Sequence, residues 1–345
     1  MRAFVNLPAA IMLIDCSHAL QSLQKIAVIL SLMSVSGICG RIVVAGEPTR
    51  LTVEHLPNAV RVHDKVVSGG LPEGEEGFRS LKQLGIQTVI SVDGAAPDLA
   101  MARKYGLRYI HLPHSYDGIP NPRVLELARA VRDSDGPVYI HCHHGKHRSP
   151  AAAAAACVTA GMMESSSALS ILELAGTGKN YRGLFETAAN ARRVDPAVID
   201  QIPADFPESA PLPELTELMV QIEKHHDRLK AAAATGWKTT DSKASREFMA
   251  EDALLLREHF TELLRSPEQN QREASYLSLL RNSEQQSEAL EKSLRQWVRD
   301  DQSSAVSKSP VPKEISDAFS AVSKLCLECH QKFRDVPLSE KAVHR

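Results

Sequence analysis

Residues 141–149 read His-Cys-His-His-Gly-Lys-His-Arg-Ser. One sulfur, one guanidinium, one hydroxyl and several imidazoles stand in nine positions, between an apolar run (Pro137–Ile140) and an alanine run (Ala151–Ala156). A strand entering this loop and a helix leaving it would suit attack on a phosphate ester. The nucleophile must be a thiolate, although a free thiol has a pKa near ~8.5. A helix N-terminus, inward-facing amides and nearby cations favour the anion. The same amides hold non-bridging phosphate oxygens. On this reading Cys142 is the nucleophile and Arg148 the two-pronged donor to the equatorial oxygens. Ser149 donates to the departing sulfur, and Gly145 lets the loop bend without a Cβ in the way. His143, His144, Lys146 and His147 surround the phosphate with cationic or protonatable groups. A zinc site made from these histidines is disfavoured, because their spacing in a tight loop does not point them at one centre.

A leaving oxygen needs a proton. Asp117 in HSYDGIP and Asp93 in SVDG both follow expected strands, on the edge where the cysteine loop also lies. Asp117 is the expected general acid, since it leaves the neighbouring YIHLP strand; Asp93 is the second candidate.

These residues carry a resemblance. VYIHCHHGKHRS is similar to the dual-specificity branch of the cysteine-dependent protein tyrosine phosphatases, whose signature is His-Cys-x-x-Gly-x-x-Arg-Ser/Thr. SGGLPEGEEGFRSLKQLGIQTVISV and GLRYIHLPHSYDGIP resemble that family's upstream elements, so the likeness spans roughly 60–175. It implies a phosphocysteine intermediate and the same four roles for Cys142, Arg148, Ser149 and Asp117. Two departures stand out. Asp117 and Cys142 are only 25 residues apart, and three histidines (143, 144, 147) lie inside the loop. The family's default substrate is phosphotyrosine on protein, whereas the histidine-rich loop would also suit an inositol phosphate.

A second motif, Cys326-Leu-Glu-Cys329-His330, has the c-type haem attachment pattern. Both thiols would add to the haem vinyls, and His330 would ligate iron on the proximal side. Set on the last of four expected helices, it resembles cytochrome c′ and its low-spin relatives over roughly 212–338. That resemblance implies one covalent haem c inside an antiparallel bundle, with Met219 of the first helix as the best match to a distal ligand. Core packing is the alternative for Met219, and His225 and His226 are weaker ligand candidates. Cys157 reads as a small core residue.

The elements that must position these groups are legible in the pattern. From about residue 59, short apolar runs alternate with helical stretches: RVHDKVVSGG (a strand and turn), QTVISVDG, LRYIHLP and PVYIHC against EGEEGFRSLKQLG, PDLAMARKYG, NPRVLELARAVRDSDG and SPAAAAAACVTAG. Asn121 is a plausible N-cap of the third. Such alternation predicts an α/β three-layer domain with a mainly parallel sheet over 46–204. Two further helices are expected near 166–175 and 184–193. Prolines mark a linker at 205–213. Beyond it, amphipathic stretches near 214–234, 245–265, 283–298 and 312–334 predict an all-α four-helix bundle over 214–338.

Residues 1–45 read as a signal peptide or N-terminal extension. Lys25 precedes a run at Ile26–Gly40 that is short for a membrane span, with cleavage expected after Ala45; a buried or anchoring helix is the alternative. Export agrees with covalent haem, which is attached outside the cytoplasm, and predicts a periplasmic protein with no membrane span after signal removal. Six cysteines at irregular spacings in 345 residues do not make a disulfide framework. A net charge of -2 without long single-sign blocks argues against nucleic acid as a partner. The expected partners are a phosphorylated protein or small phosphate ester, a periplasmic electron-transfer protein, and a second copy pairing through the bundle. Two functions of different class follow: an exported phosphatase carrying a haem domain, or a haem-based electron-transfer or sensor protein whose α/β half only binds phosphorylated ligands. In a third reading, haem redox or ligand state modulates the phosphatase.

Overall fold

The computed structural model describes residues 47–237, 242–303 and 311–341. The expected export segment, with Cys16 and Cys39, lies outside the described residues.

Six strands form one sheet in the order β1-β2-β3-β6-β4-β5. They are β1 (Thr49–Arg50), β2 (Val60–His63), β3 (Val66–Gly69), β4 (Thr88–Ser91), β5 (Arg108–His111) and β6 (Val138–His141). β3, β6, β4 and β5 run parallel, while β1 and β2 add an antiparallel edge. The alternation of side chains along each strand divides the core in two. Val66, Ile90, Ile110, Val138 and Ile140 face one apolar cluster; Val67, Val89, Tyr109 and Tyr139 face another.

Helices cover both faces, giving the three layers expected. Phe78 and Leu81 of α1 (Gly74–Gln83) and Ala102 of α2 (Leu99–Lys104) cover one face. The other is covered by α3 (Asn121–Asp133), α4 (Arg148–Thr159), α5 (Ala168–Ala175) and α6 (Arg182–Asn190). Every residue of α4 is buried. Its six consecutive alanines let sheet and helices close around it on all sides, so the helix that follows the cysteine is wedged in the middle of the domain. Asn121 is not the cap of α3. Pro120 takes that position and Asn121 begins the helix, with Pro122 in the first turn, where a missing N–H is tolerated.

After a short helix, α7 (Pro196–Ile199), the chain enters four long helices: α8 (Glu214–Ala234), α9 (Ser242–Arg265), α10 (Ala274–Ser303) and α11 (Lys313–Cys329). The third extends well beyond both expected ends. All four contribute to one core, including Ile222 and Leu229, Leu256 and Phe260, Leu290 and Leu294, and Ile315 and Val322. The outer pair meets through side chains. His226 Nε2 is 2.9 Å from Ser323 Oγ, Trp237 donates to Ser316 at 2.9 Å, and both rings contact Phe319. A single π turn, His330–Arg334, and a short α12 (Leu338–Lys341) complete the described chain. The α/β half and the helices belong to one compact unit. Among the described residues, no helix is long and apolar enough to cross a membrane.

Candidate active site

β6 ends at His141, and Cys142 opens the loop that leads into α4 at Arg148. Three of the loop's carbonyls are bonded outwards. His143 O accepts from Leu71 N at 3.0 Å, Gly145 O from Asn58 Nδ2 at 2.8 Å, and Lys146 O from Thr177 Oγ1 at 2.6 Å. A trans peptide directs its N–H opposite to its C=O. The amides of His144, Lys146 and His147 therefore turn towards the concave side, alongside the unpaired first-turn amides of α4. This is an anion cradle made by backbone direction.

Gly145 holds φ at +71°, and a Cβ there would lie 2.4 Å from Gly70 N. Both the backbone angle and the space require glycine. Gly145→Ala is expected to lower stability by about 1–3 kcal/mol through the unfavourable φ alone and to collapse the cradle. Thermal unfolding should shift down, and phosphate affinity measured by calorimetry should drop more than tenfold.

The side chains in the cradle are closely coupled. Cys142 Sγ lies 3.3 Å from Ser149 Oγ, which also donates to Gly69 O at 2.9 Å. Arg148 is buried, donates to Asp93 Oδ1 at 3.1 Å, and stacks 4.4 Å above the Tyr116 ring. Burial pushes the Asp93 carboxyl up, but Arg148, helped by His141 and His143, holds it below the usual carboxylate value. Asp93 thus serves as counter-ion to the phosphate-binding arginine.

Asp117 lies on the loop after β5, as expected, and is buried. Its Oδ2 accepts from Lys341 Nζ at 2.7 Å, and its carbonyl accepts from Leu338 N at 2.9 Å. Gly183, at the start of α6, fits tightly against that carbonyl; a Cβ there would sit 1.8 Å from Asp117 O. Tyr116 is enclosed by Arg148 on one side, Tyr181 beside it, and Arg334, whose guanidinium carbon is 4.0 Å from the ring centre. The end of the chain that carries the second motif therefore packs directly on the loop bearing the expected acid.

The histidines separate into types. Burial, then His144, Arg148 and Lys146, push His147 down to about 4, so it is neutral at pH 7. Burial also lowers His144, with His143 adding to the effect. His143 is raised by the Asp227 carboxylate beside it, despite partial burial. At neutral pH the loop is less cationic than its composition suggests. An open cleft of about 820 Å³ touches His143, His144 and Lys146 together with residues 50–53, 55–58 and 71–74. It flanks the loop and does not include Cys142 or Arg148.

Cys326 and Cys329 are free thiols one turn apart at the end of α11, and His330 begins the π turn. Both cysteines border the helical core, as do Met219, Leu218 and Phe333. Burial raises both thiols to about 11 and lowers His330 to about 3. His225 is engaged elsewhere, 2.8 Å from Asp252. Cys157 is fully buried in the α/β core, and its thiol is pushed up to about 12. Sequence reasoning missed Tyr116, Arg334, Lys341, Glu223 and Asp227. Only the last two carried a signal, their four-residue spacing on one helix face.

Residues 67–162 match the family model described as "Polymorphic toxin system, DSP-PTPase phosphatase". This part of the chain is a cysteine-phosphatase-like domain. No curated protein matches the chain. Among solved structures it is similar to P. aeruginosa TpbA, at 21% identity over 44% of this chain and 93% of that one, with a TM-score of 0.37. It is also similar to the core catalytic domain of the PP-IP phosphatase SIW14 from S. cerevisiae, at 18% identity over 45% of this chain and 90% of that one, with a TM-score of 0.31.

Proposed function

We propose that the chain is an exported cysteine-dependent phosphatase that hydrolyses phosphomonoesters and carries one covalent haem c on its helical half. The observation that carries the phosphatase reading is the cradle itself: Cys142 lies at the start of a loop in which the carbonyls of His143, Gly145 and Lys146 are bonded to surrounding residues, with Arg148 and Ser149 on the helix that follows.

The reaction runs in two steps. The Cys142 thiolate attacks phosphorus, a P–S bond forms, and the P–O bond to the leaving group breaks. The leaving oxygen takes a proton from Asp117, which must exchange its ion pair with Lys341 for that proton before the step. Water then gives a proton to Asp117 and its oxygen to phosphorus, the P–S bond breaks, and inorganic phosphate leaves. Ser149 has one proton for two acceptors. With a neutral thiol it serves Gly69 O; when sulfur is an anion the hydroxyl turns to Sγ and stabilises the departing thiolate. Arg148 meets the equatorial oxygens as they gain charge, which requires it to exchange part of its bond to Asp93 for phosphate.

Asp117 and Asp93 are separated by leaving-group chemistry. Asp117→Asn is expected to cost about 10²- to 10⁴-fold in kcat on alkyl or phenyl phosphate and far less on p-nitrophenyl phosphate, whose leaving group needs no proton. Asp93→Asn should instead weaken phosphate binding with either substrate. A leaving-group dependence confined to Asp93→Asn would exchange the two roles.

Two of the four protonatable groups around the pocket, His144 and His147, are pushed towards the neutral form. That favours a singly phosphorylated ester such as phosphotyrosine over an inositol polyphosphate. Relative kcat/KM on a phosphopeptide and an inositol polyphosphate checks this.

The second motif fits haem c in its donor set. Cys326 and Cys329 are free and lie one turn apart, His330 is partly buried with its imidazole pushed towards the neutral form, and Met219 borders the same helical core. When bound, haem supplies one-electron redox or gas-ligand chemistry; Cys326 and Cys329 would hold it and His330 would ligate its iron. Cys326→Ser with Cys329→Ser is expected to remove the covalent haem from periplasmically expressed protein, read by a pyridine haemochrome spectrum. Mass spectrometry of the same sample defines the mature N-terminus. Haem-free protein from the unaltered chain in a strain that matures c-type cytochromes would overturn the haem reading.

A further inference from the structure

His143 and His144 do not stand alone. They face the first long helix, α8, where Glu223 and Asp227 project from successive turns of one face. His143 Nε2 is 3.6 Å from Asp227 Oδ2, and His144 Nε2 is 3.7 Å from Glu223 Oε1. The two imidazoles meet edge to face, with ring centres 4.5 Å apart. One donor atom from each of the four residues lies within 4.8 Å of every other.

These distances are informative. Both histidine–carboxylate separations exceed the ~2.7–3.2 Å of a nitrogen–oxygen hydrogen bond. They are close to the spacing of two ligands on one ion: with bonds of about 2.0–2.1 Å, neighbouring donors of a tetrahedral zinc site lie roughly 3.3 Å apart. Small rotations about the side-chain bonds of four partly accessible residues would close the remaining gap.

We propose that His143, His144, Glu223 and Asp227 form a divalent-cation site, suited to Zn²⁺, that clamps the cysteine loop to the first helix of the helical half. The donor set selects the ion. Two imidazoles with two carboxylates suit zinc and its first-row neighbours, whereas calcium and magnesium take all-oxygen shells. Two carboxylates also balance the ion's charge, so the occupied site is neutral and its partial burial costs little. The loop histidines could not form this centre by themselves; the helix supplies the half of the shell that the loop lacks. Because the amide of His144 belongs to the anion cradle, the ion would fix the orientation of a peptide that binds phosphate.

The test uses the purified full chain after chelator treatment, with Zn²⁺ followed by calorimetry and Co²⁺ by absorption. Cys142 and, in any haem-free fraction, the CxxCH cysteines are competing ligands, and cobalt separates them. A site of nitrogen and oxygen gives only weak visible bands, whereas thiolate ligation adds an intense near-ultraviolet charge-transfer band. One equivalent should bind without that band. Glu223→Gln and Asp227→Asn should each weaken binding at least ~10-fold, since even outer-shell partners of a metal matter by that factor. Both positions are partly exposed, so the folded state should survive, as a circular dichroism spectrum would verify. Absence of binding, binding that both variants leave unchanged, or a thiolate band in the one-equivalent complex would each overturn the proposal.

Discussion

Cys142→Ser is expected to reduce phosphomonoester turnover by on the order of 10⁴-fold or more while leaving phosphate binding intact. The substitution changes one atom and almost no shape. Cys142 is nearly inaccessible at the foot of the cradle, and a serine oxygen fits the same space beside Ser149. What changes is ionisation. A thiol is intrinsically far more acidic than an alkyl hydroxyl, which stays neutral at any pH the fold tolerates. The amides and the guanidinium remain in place, so a slowly cleaved phosphate ester should bind as it does to the unaltered protein. Rapid-quench measurement of phosphoenzyme, with calorimetric binding of phosphate, checks both halves. Equal turnover by Cys142→Ser and the unaltered chain would remove the covalent mechanism.

Arg148 is the second position where a large effect is expected, and two substitutions separate its roles. Arg148→Lys keeps a charge but loses the planar fork. It should lower kcat by about 10²- to 10³-fold, the scale of losing an aligned donor to transition-state charge. Arg148→Ala also touches the fold. It strands the Asp93 carboxylate at 4% exposure without its principal cation, which should cost about 3–5 kcal/mol at neutral pH.

The sign of the pH dependence follows. In the unaltered chain the Asp93 carboxyl is depressed, so its contribution is present above the unfolded value near ~3.9 and is lost as pH falls through the lower folded value. Without Arg148, burial, the largest influence on Asp93, is no longer outweighed, and its folded pKa rises above the unfolded one. The stability of Arg148→Ala should then be greatest in acid and fall as pH rises towards neutrality, and Asp93→Asn should restore much of it. Urea unfolding between pH 4 and pH 8 reads this directly. An Arg148→Ala variant whose pH profile parallels that of the unaltered chain would show that the pair carries no buried charge.

Much of this was legible in the chain. Four-residue apolar strands separated by amphipathic helices leave little choice of fold class, because period-2 and period-3.6 patterns cannot exchange. Strand, glycine-containing loop and helix place Cys142, Gly145 and Arg148 in one turn, whatever surrounds them. The helix stripes after residue 213 likewise announced four helices with one core. Their ends were less legible: α10 begins nine residues before its apolar signal, and α3 starts after Pro120 rather than after Asn121. The edge strand Thr49–Arg50 left no signal, being two exposed residues paired only with β2.

Local chemistry, then, was determined by the sequence itself: a sulfur, a guanidinium and a hydroxyl at spacings set by peptide geometry, and two cysteines followed by a histidine on one helix turn. Tertiary structure alone decided what those groups meet. It paired Arg148 with Asp93 rather than leaving it free, enclosed Tyr116 between Arg148 and Arg334, and attached Lys341 to Asp117. It also brought Glu223 and Asp227 up to His143 and His144. Such contacts join residues dozens to hundreds of positions apart. No local preference encodes them: the contacts of Arg148 with Asp93 and Tyr116 follow from packing within the α/β half, and the others from how two separately patterned halves bury their remaining surface against each other.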